Sequence, residues 1–118
     1  MKKIGIICSR NYSLSAYDMD FIDKTIKSIC ANYTPILSRR TGNGEIMSDW
    51  YGTHKRDMIC MSQRYFDSWV HENLAMIDTC DEMVFIWDGQ SEGTEYCINT
   101  AKFLGKKYTI IRNGWSII

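Results

Sequence analysis

The sequence holds one proline and eight glycines, far too few for a disordered linker or a low-complexity chain. Neither charge is in excess, with 14 Lys and Arg against 14 Asp and Glu. Non-specific binding along duplex DNA needs a clear basic surplus, so duplex DNA is not an expected partner. Long apolar runs are also missing. The first, Ile4 to Cys8, follows Met1-Lys2-Lys3 and gives way at once to Ser9-Arg10-Asn11. That run is too short for a signal-peptide core or a membrane span, which points to a cytoplasmic protein without a membrane partner. Histidine occurs only at 54 and 71, and the five cysteines at 8, 30, 60, 80 and 97 contain no CxxC pair. No metal-ligand spacing results, so neither a metal nor another cofactor is expected. Scattered cysteines of this kind read as small core residues in a reducing compartment.

What is present suits one globular domain over residues 1–118, 45% apolar and 24% charged. Ile4-Gly5-Ile6-Ile7-Cys8 reads as a strand buried on both faces, the habit of parallel sheets. Ser13 and Ser15 are candidate N-caps, and Ser15 with Asp18 has capping-box spacing. Met19, Ile22, Ile26, Ile29 and Cys30 then recur at helical spacing as far as about Asn32. Pro35–Leu37 reads as a second strand, Thr41–Gly44 as a loop, Glu45–Tyr51 as a short helix and Met58–Met61 as a third strand. Asp67–Thr79 has helical spacing at Val70, Leu74 and Ile77. Met83–Trp87 is another buried strand; Thr94 then caps a helix with Cys97, Ile98, Ala101 and Leu104, closed by Gly105. Tyr108–Ile111 is the last strand. This alternation predicts an α/β fold, a Rossmann-like open parallel sheet of about five strands in order 3-2-1-4-5 with helices on both faces.

Ligands of such sheets bind beyond the carboxyl ends of the strands, beside the switch point between the first and fourth. Ser9-Arg10-Asn11-Tyr12 and the loop Asp88 to Thr94 land there. Gly89 and Gly93 relax the backbone, Ser91 and Thr94 supply hydroxyls, and the first amides of the following helix are unpaired. Together they suit a phosphate, although the same residues also suit a plain strand-to-helix turn. Glu92 and Glu95 fit a phosphate cradle only if turned outward or engaged with a ribose. Arg10, Arg39 and Arg40 follow strand ends, and arginine is the usual bidentate partner of phosphate. Asp88 and Asp49 are candidate ribose acceptors. Tyr12, Trp50 and Trp87 are candidate stacking platforms, Trp87 more naturally belonging to the core. Cys8 reads as a buried neutral thiol, and His71 and Glu72 as residues flanking the crevice or lying on the surface.

The run Asp81-Glu-Met-Val-Phe-Ile-Trp-Asp-Gly-Gln-Ser-Glu-Gly-Thr94, with Ala101, Gly105-Lys106 and the closing strand, resembles the YspA-like branch of the SLOG superfamily. The opening Ile4-Gly-Ile-Ile-Cys-Ser-Arg10 is similar to that family's first strand. The resemblance implies a nucleotide-binding Rossmann-like sheet. It departs in the middle, where a glycine-rich phosphate loop is replaced by Ser38-Arg39-Arg40-Thr41-Gly42-Asn43-Gly44-Glu45. Ser38 and the acid at Glu45 match, while the two arginines stand in place of small glycines. Related phosphoribohydrolases and deoxyribosyltransferases carry a catalytic acid three residues after the Gly-Thr. Here that position is Cys97, and Glu95 is turned about 200° from it on a helix.

These readings converge on a non-enzymatic protein that binds or sequesters an ADP-ribose-like or cyclic-nucleotide signal. Its size and single domain would suit a sponge of the kind phages use against nucleotide-signalled immunity. The expected ligand residues are Ser9, Arg10, Tyr12, Ser38, Arg39, Arg40, Glu45, Asp88, Gly89, Ser91, Gly93 and Thr94. No catalytic residue is assigned, and a homo-oligomer is expected. The alternatives are an enzyme acting on an N-glycosidic bond through Glu45, Asp88 or Glu95, and an oligomeric interaction domain with a vestigial crevice.

Overall fold

Burial on both faces puts β1 (Lys2–Cys8) at the centre of the sheet. It pairs in parallel with β2 (Tyr33–Leu37) on one side and β4 (Glu82–Trp87) on the other. β3 (Ile59–Cys60) continues beyond β2 and β5 (Tyr108–Arg112) beyond β4, both parallel, giving the order 3-2-1-4-5. A further strand, β6 (Ser116–Ile117), adds antiparallel to β5 and was not expected. The structure is a computed structural model that describes residues 1–61 and 68–112 and the backbone of Ser116–Ile117.

One face is covered by α1 (Ala16–Ile29) and α2 (Gly42–Thr53), whose Met19, Ile22, Ile26, Met47 and Tyr51 pack on Ile4, Ile6, Val84 and Ile86. The other is covered by α3 (Trp69–Thr79) and α4 (Glu92–Phe103), through Met76, Ile77, Cys97, Ile98 and Ala101 against Ile36, Met83 and Phe85. Each such fully buried aliphatic side chain contributes about 1.5–3 kcal/mol, and two faces of them hold the sheet between helix layers. α1 begins at the expected capping box of Ser15 and Asp18 but ends at Ile29, leaving Tyr33 to open β2. Gly105 follows α4 at φ +69°, in the left-handed conformation expected of it.

Three expectations change. Thr41–Gly44 is not a loop: Thr41 Oγ1 accepts the Gly44 amide at 3.2 Å, so Gly42-Asn43-Gly44 form the first turn of α2. The cap of α4 is Ser91, not Thr94; Ser91 Oγ accepts the Thr94 amide at 3.4 Å. α3 is capped by Ser68, and Asp67, the expected start of that helix, lies outside the described residues.

A polar network lies at the start of β2, away from the carboxyl edge. Tyr33 Oη donates to Asp23 Oδ1 at 2.6 Å, leaving Tyr51 Oη, 2.6 Å away, to donate to Tyr33. Arg56 Nη1 reaches Asp23 Oδ1 at 3.0 Å and Lys27 Nζ reaches Oδ2 at 3.1 Å. Burial alone would raise the Asp23 pKa, but the hydrogen bonds from Tyr33, Lys27 and Arg56 outweigh it and hold the carboxyl below its ordinary value. A carboxyl depressed on folding stabilises the protein above its unfolded pKa, and that stability is lost as pH falls through the folded one. Unfolding free energy should therefore drop between about pH 5 and pH 2. In denaturant titrations Asp23→Asn should flatten that drop; an acid slope unchanged by the substitution would show that Asp23 is not its source.

Candidate ligand-binding site

The loops after β1 and β4 are tied to each other before they can meet any ligand. Ser9 N donates to Ile86 O at 2.8 Å, Ser9 Oγ and Thr94 Oγ1 lie 2.9 Å apart, and the Asp88 amide reaches Ser9 Oγ at 3.3 Å. Both hydroxyl residues are buried. Asn43, in the first turn of α2, clamps the same loop by donating to Ser9 O at 3.0 Å and Tyr12 O at 2.8 Å.

Asp88 shapes its own turn. Its Oδ1 accepts the amides of Gln90 at 2.9 Å and Ser91 at 2.7 Å, and Asn11 Nδ2 approaches Oδ2 at 3.5 Å. Slight burial would raise its pKa, but these donors outweigh it and hold the carboxyl below the ordinary value. Gly89 sits at φ +83°, and a Cβ there would run into the Arg112 guanidinium, which lies 5.4 Å from the Trp87 ring centroid. Trp87 is partly buried and donates from Nε1 to Ser91 O at 3.1 Å.

Above this scaffold lie two cavities. One of 290 Å³ is lined by Cys8, Arg10, Trp69, Asn73, Ser91 and Gly93, among others; the second, of 560 Å³, is lined by Arg10, Tyr12, Arg40, Asn43, Ile46 and Trp69. Arg10, Thr41 and Trp69 border both, so the two form one crevice across the carboxyl ends of β1, β2 and β4. A recess of 60 Å³, bordered by Ser38, Arg40 and Met47, shares Thr41 and Trp69 with them. Arg10 is exposed and makes no hydrogen bond or ion pair among the described residues, so its guanidinium is available to an anion. Trp69 leans over the start of α4: a Cβ on Gly93 would stand 3.4 Å from its Cη2. Trp69 escaped the sequence reading, yet Trp69, Asn73 and Met76 form a stripe at i, i+4 and i+7 along α3.

The arginine pair divides. Arg40 borders the crevice, and its Nε donates to Glu72 Oε2 at 2.7 Å. Glu72, which the sequence left at the crevice flank or surface, is wholly buried, and its Oε1 has no partner among the described residues. Arg39 turns away, donating from Nη1 to Ser48 Oγ at 2.6 Å with Asp49 at 3.4 Å. Glu45 is exposed on α2 and borders none of the three cavities, and Trp50 stacks on His54 with centroids 3.9 Å apart. Glu92 and Glu95 are exposed to solvent. Of the expected ligand residues, Arg10, Tyr12, Ser38, Arg40, Ser91, Gly93 and Thr94 border the crevice; Ser9, Asp88 and Gly89 hold its loops in shape.

Cys8 borders the crevice, Cys97 is buried on α4 and borders none of the three cavities, and both thiols are shifted upward in pKa. Burial, then the nearby Asp88 and Asp18 carboxylates, raises the Cys8 pKa far above the ordinary thiol value. Burial pushes Cys97 up to about 11, partly offset by Asn73 Nδ2 donating to its sulfur at 3.6 Å. Among the described residues no Asp or Glu borders any of the three cavities, and no cluster of His, Cys, Asp and Glu could hold a metal. The crevice thus offers a cation, an indole, hydroxyls and first-turn amides, a set that can hold a flat anionic molecule.

No protein-family model matches the chain, and no curated protein or solved structure does. No helix among the described residues is long and apolar enough to cross a membrane.

Proposed function

We propose that this protein binds a nucleotide-derived anion in the crevice and does not transform it. The observation that carries the reading is the crevice lining: an Arg10 with no partner among the described residues, the Trp69 indole and the start of α4 around a cavity that no described carboxylate borders. In this reading the phosphate sits between Arg10 and the start of α4 at Ser91 and Gly93, and the base or sugar runs along Trp69 toward Tyr12. The ligand class is ADP-ribose-like or a cyclic nucleotide, and the chain is a small SLOG-type domain of the YspA-like branch. The 3-2-1-4-5 sheet and the quoted motif at its switch point support that placement. A single domain that holds such a signal unchanged acts by sequestering it or by passing its occupancy to a partner.

An N-glycosidic enzyme needs a carboxylate against the ribosyl carbon. Each candidate is elsewhere or engaged: Glu45 and Glu95 are exposed away from the cavities, and Asp88 is bonded to its own loop. Position 97 supplies a neutral thiol. Loss of such a carboxylate commonly costs on the order of a thousandfold in rate. Incubation with nucleoside monophosphates, deoxynucleosides, NAD or ADP-ribose should therefore leave each intact when the small molecules are released by heat and chromatographed. Turnover above background that vanishes in Glu45→Ala, Asp88→Ala or Glu95→Ala would replace the binding reading with the enzyme one.

A further inference from the structure

α4 has two faces, and only one is used by the fold. Thr94, Cys97, Ile98 and Ala101 are buried against the sheet and α3. The opposite face carries Glu92, Tyr96, Asn99 and Phe103, all exposed, at spacings of four, three and four residues. That is the spacing of a seam between two packed helices, not of a solvated face. Its aromatic members are costly to leave in water: Tyr96 is 49% exposed and Phe103 90%, with Leu104 beside it at 51%. Glu95 and Lys102, seven residues apart and both exposed, flank the seam on one side.

We infer that this face of α4 is the contact between two copies of the chain, related by a two-fold axis with their α4 helices antiparallel. The charge pattern selects both the occupant and the direction. When the helix is reversed against itself, Glu95 of each copy faces Lys102 of the other, so a single ion pair is made twice. Tyr96 then packs on Asn99 of the second copy, and Phe103 on the methylene stem of its Glu92. The helix dipoles oppose each other, which is favourable. A parallel arrangement would set the acidic first turns together and the basic last turns together. Asn99 is a polar residue within an otherwise packed seam, the device that fixes the register of paired helices. One 12-residue helix face covers less than the roughly 800 Å² per partner of a standard interface. Association in the micromolar range is therefore expected. The inference does not depend on the ligand reading, because none of these seam residues borders the crevice.

Sedimentation of the full chain from about 5 to 500 µM tests it. The parent should pass from monomer to dimer over that range. Phe103→Lys should raise the dimer Kd at least about tenfold, because it removes an aromatic contact that the two-fold makes twice. Glu95→Lys and Lys102→Glu should each weaken self-association by about threefold or more, each placing like charges together twice. An equimolar mixture of those two variants should recover parent-like dimerisation, since every facing pair in the heterodimer is again opposite in sign. All three positions are exposed, and circular dichroism matching the parent confirms that the variants are folded. A parent that stays monomeric throughout, a dimer indifferent to Phe103→Lys, or a mixture no better than its components would each overturn the proposal.

Discussion

Arg40→Ala is expected to lower the unfolding free energy by about 3–5 kcal/mol, the usual cost of removing one member of a buried ion pair. Glu72 has no exposed surface, and its Oε2 is held by Arg40 Nε at 2.7 Å while Oε1 has no partner among the described residues. Loss of the guanidinium leaves a buried carboxylate with neither counter-charge nor donor among the described residues, and α3 cannot turn it to solvent without losing Met76 and Ile77 from the core. The double substitution Arg40→Met with Glu72→Met removes both charges and keeps most of the volume, so it should recover most of the stability. Urea titrations at neutral pH decide the matter. A single variant within about 1 kcal/mol of the parent would mean that the pair does not hold α3 to the end of β2.

Gly44→Ala should cost about 2–3 kcal/mol, a heavy penalty for one methyl. A Cβ at Gly44 would lie inside the contact distance of the Ser38 carbonyl, and that obstacle is backbone rather than a side chain that can swing aside. The first turn of α2 would have to lift, taking with it the Thr41 cap and the Asn43 clamp on the Ser9–Tyr12 loop. Gly42, two residues earlier in the same turn, has nothing within 4 Å of its would-be Cβ. Gly42→Ala should therefore stay within about 0.5 kcal/mol of the parent, as an exposed change does. Equal effects at the two glycines in denaturant titrations would show that helix propensity, not contact with Ser38, governs this turn.

That turn also shows where the sequence stops being legible. Thr41-Gly42-Asn43-Gly44 has the composition of a loop, and it is held as the first turn of α2 by the Thr41 cap and by contacts distant in sequence, Asn43 to Ser9 and Tyr12. The buried strands were readable because burial on both faces leaves an apolar run that a helix of that length would not show, as in Ile4–Cys8 and Met83–Trp87. β6 has two residues and leaves no periodicity to read. Ser91 and Thr94 are both capping types, three residues apart, and the cap falls to the first only because Asp88 turns the chain there. In the crevice, arginines at strand ends were a usable signal for cations but not for their direction. Neighbouring side chains diverge, so Arg40 faces the crevice and Arg39 faces Ser48. Glu72 looked like a surface acid because nothing local marks a charge that a distant Arg40 neutralises. Trp69 lies outside the Val70, Leu74 and Ile77 spacing, and its signal in the sequence is the stripe it forms with Asn73 and Met76.

Calorimetric titration with ADP-ribose and with a cyclic nucleotide tests whether Arg10 and the start of α4 hold a nucleotide-derived anion. The parent should bind at least one of the two probes. Arg10→Ala and Gly93→Val should each weaken that probe about tenfold or more, or about 1.4 kcal/mol, while unfolding at the parent's denaturant midpoint. The arginine variant loses the crevice cation; the valine stands between the start of α4 and the ligand and presses on Trp69. A parent that binds neither probe, or folded variants that bind as tightly as the parent, would mean that the crevice does not hold such an anion.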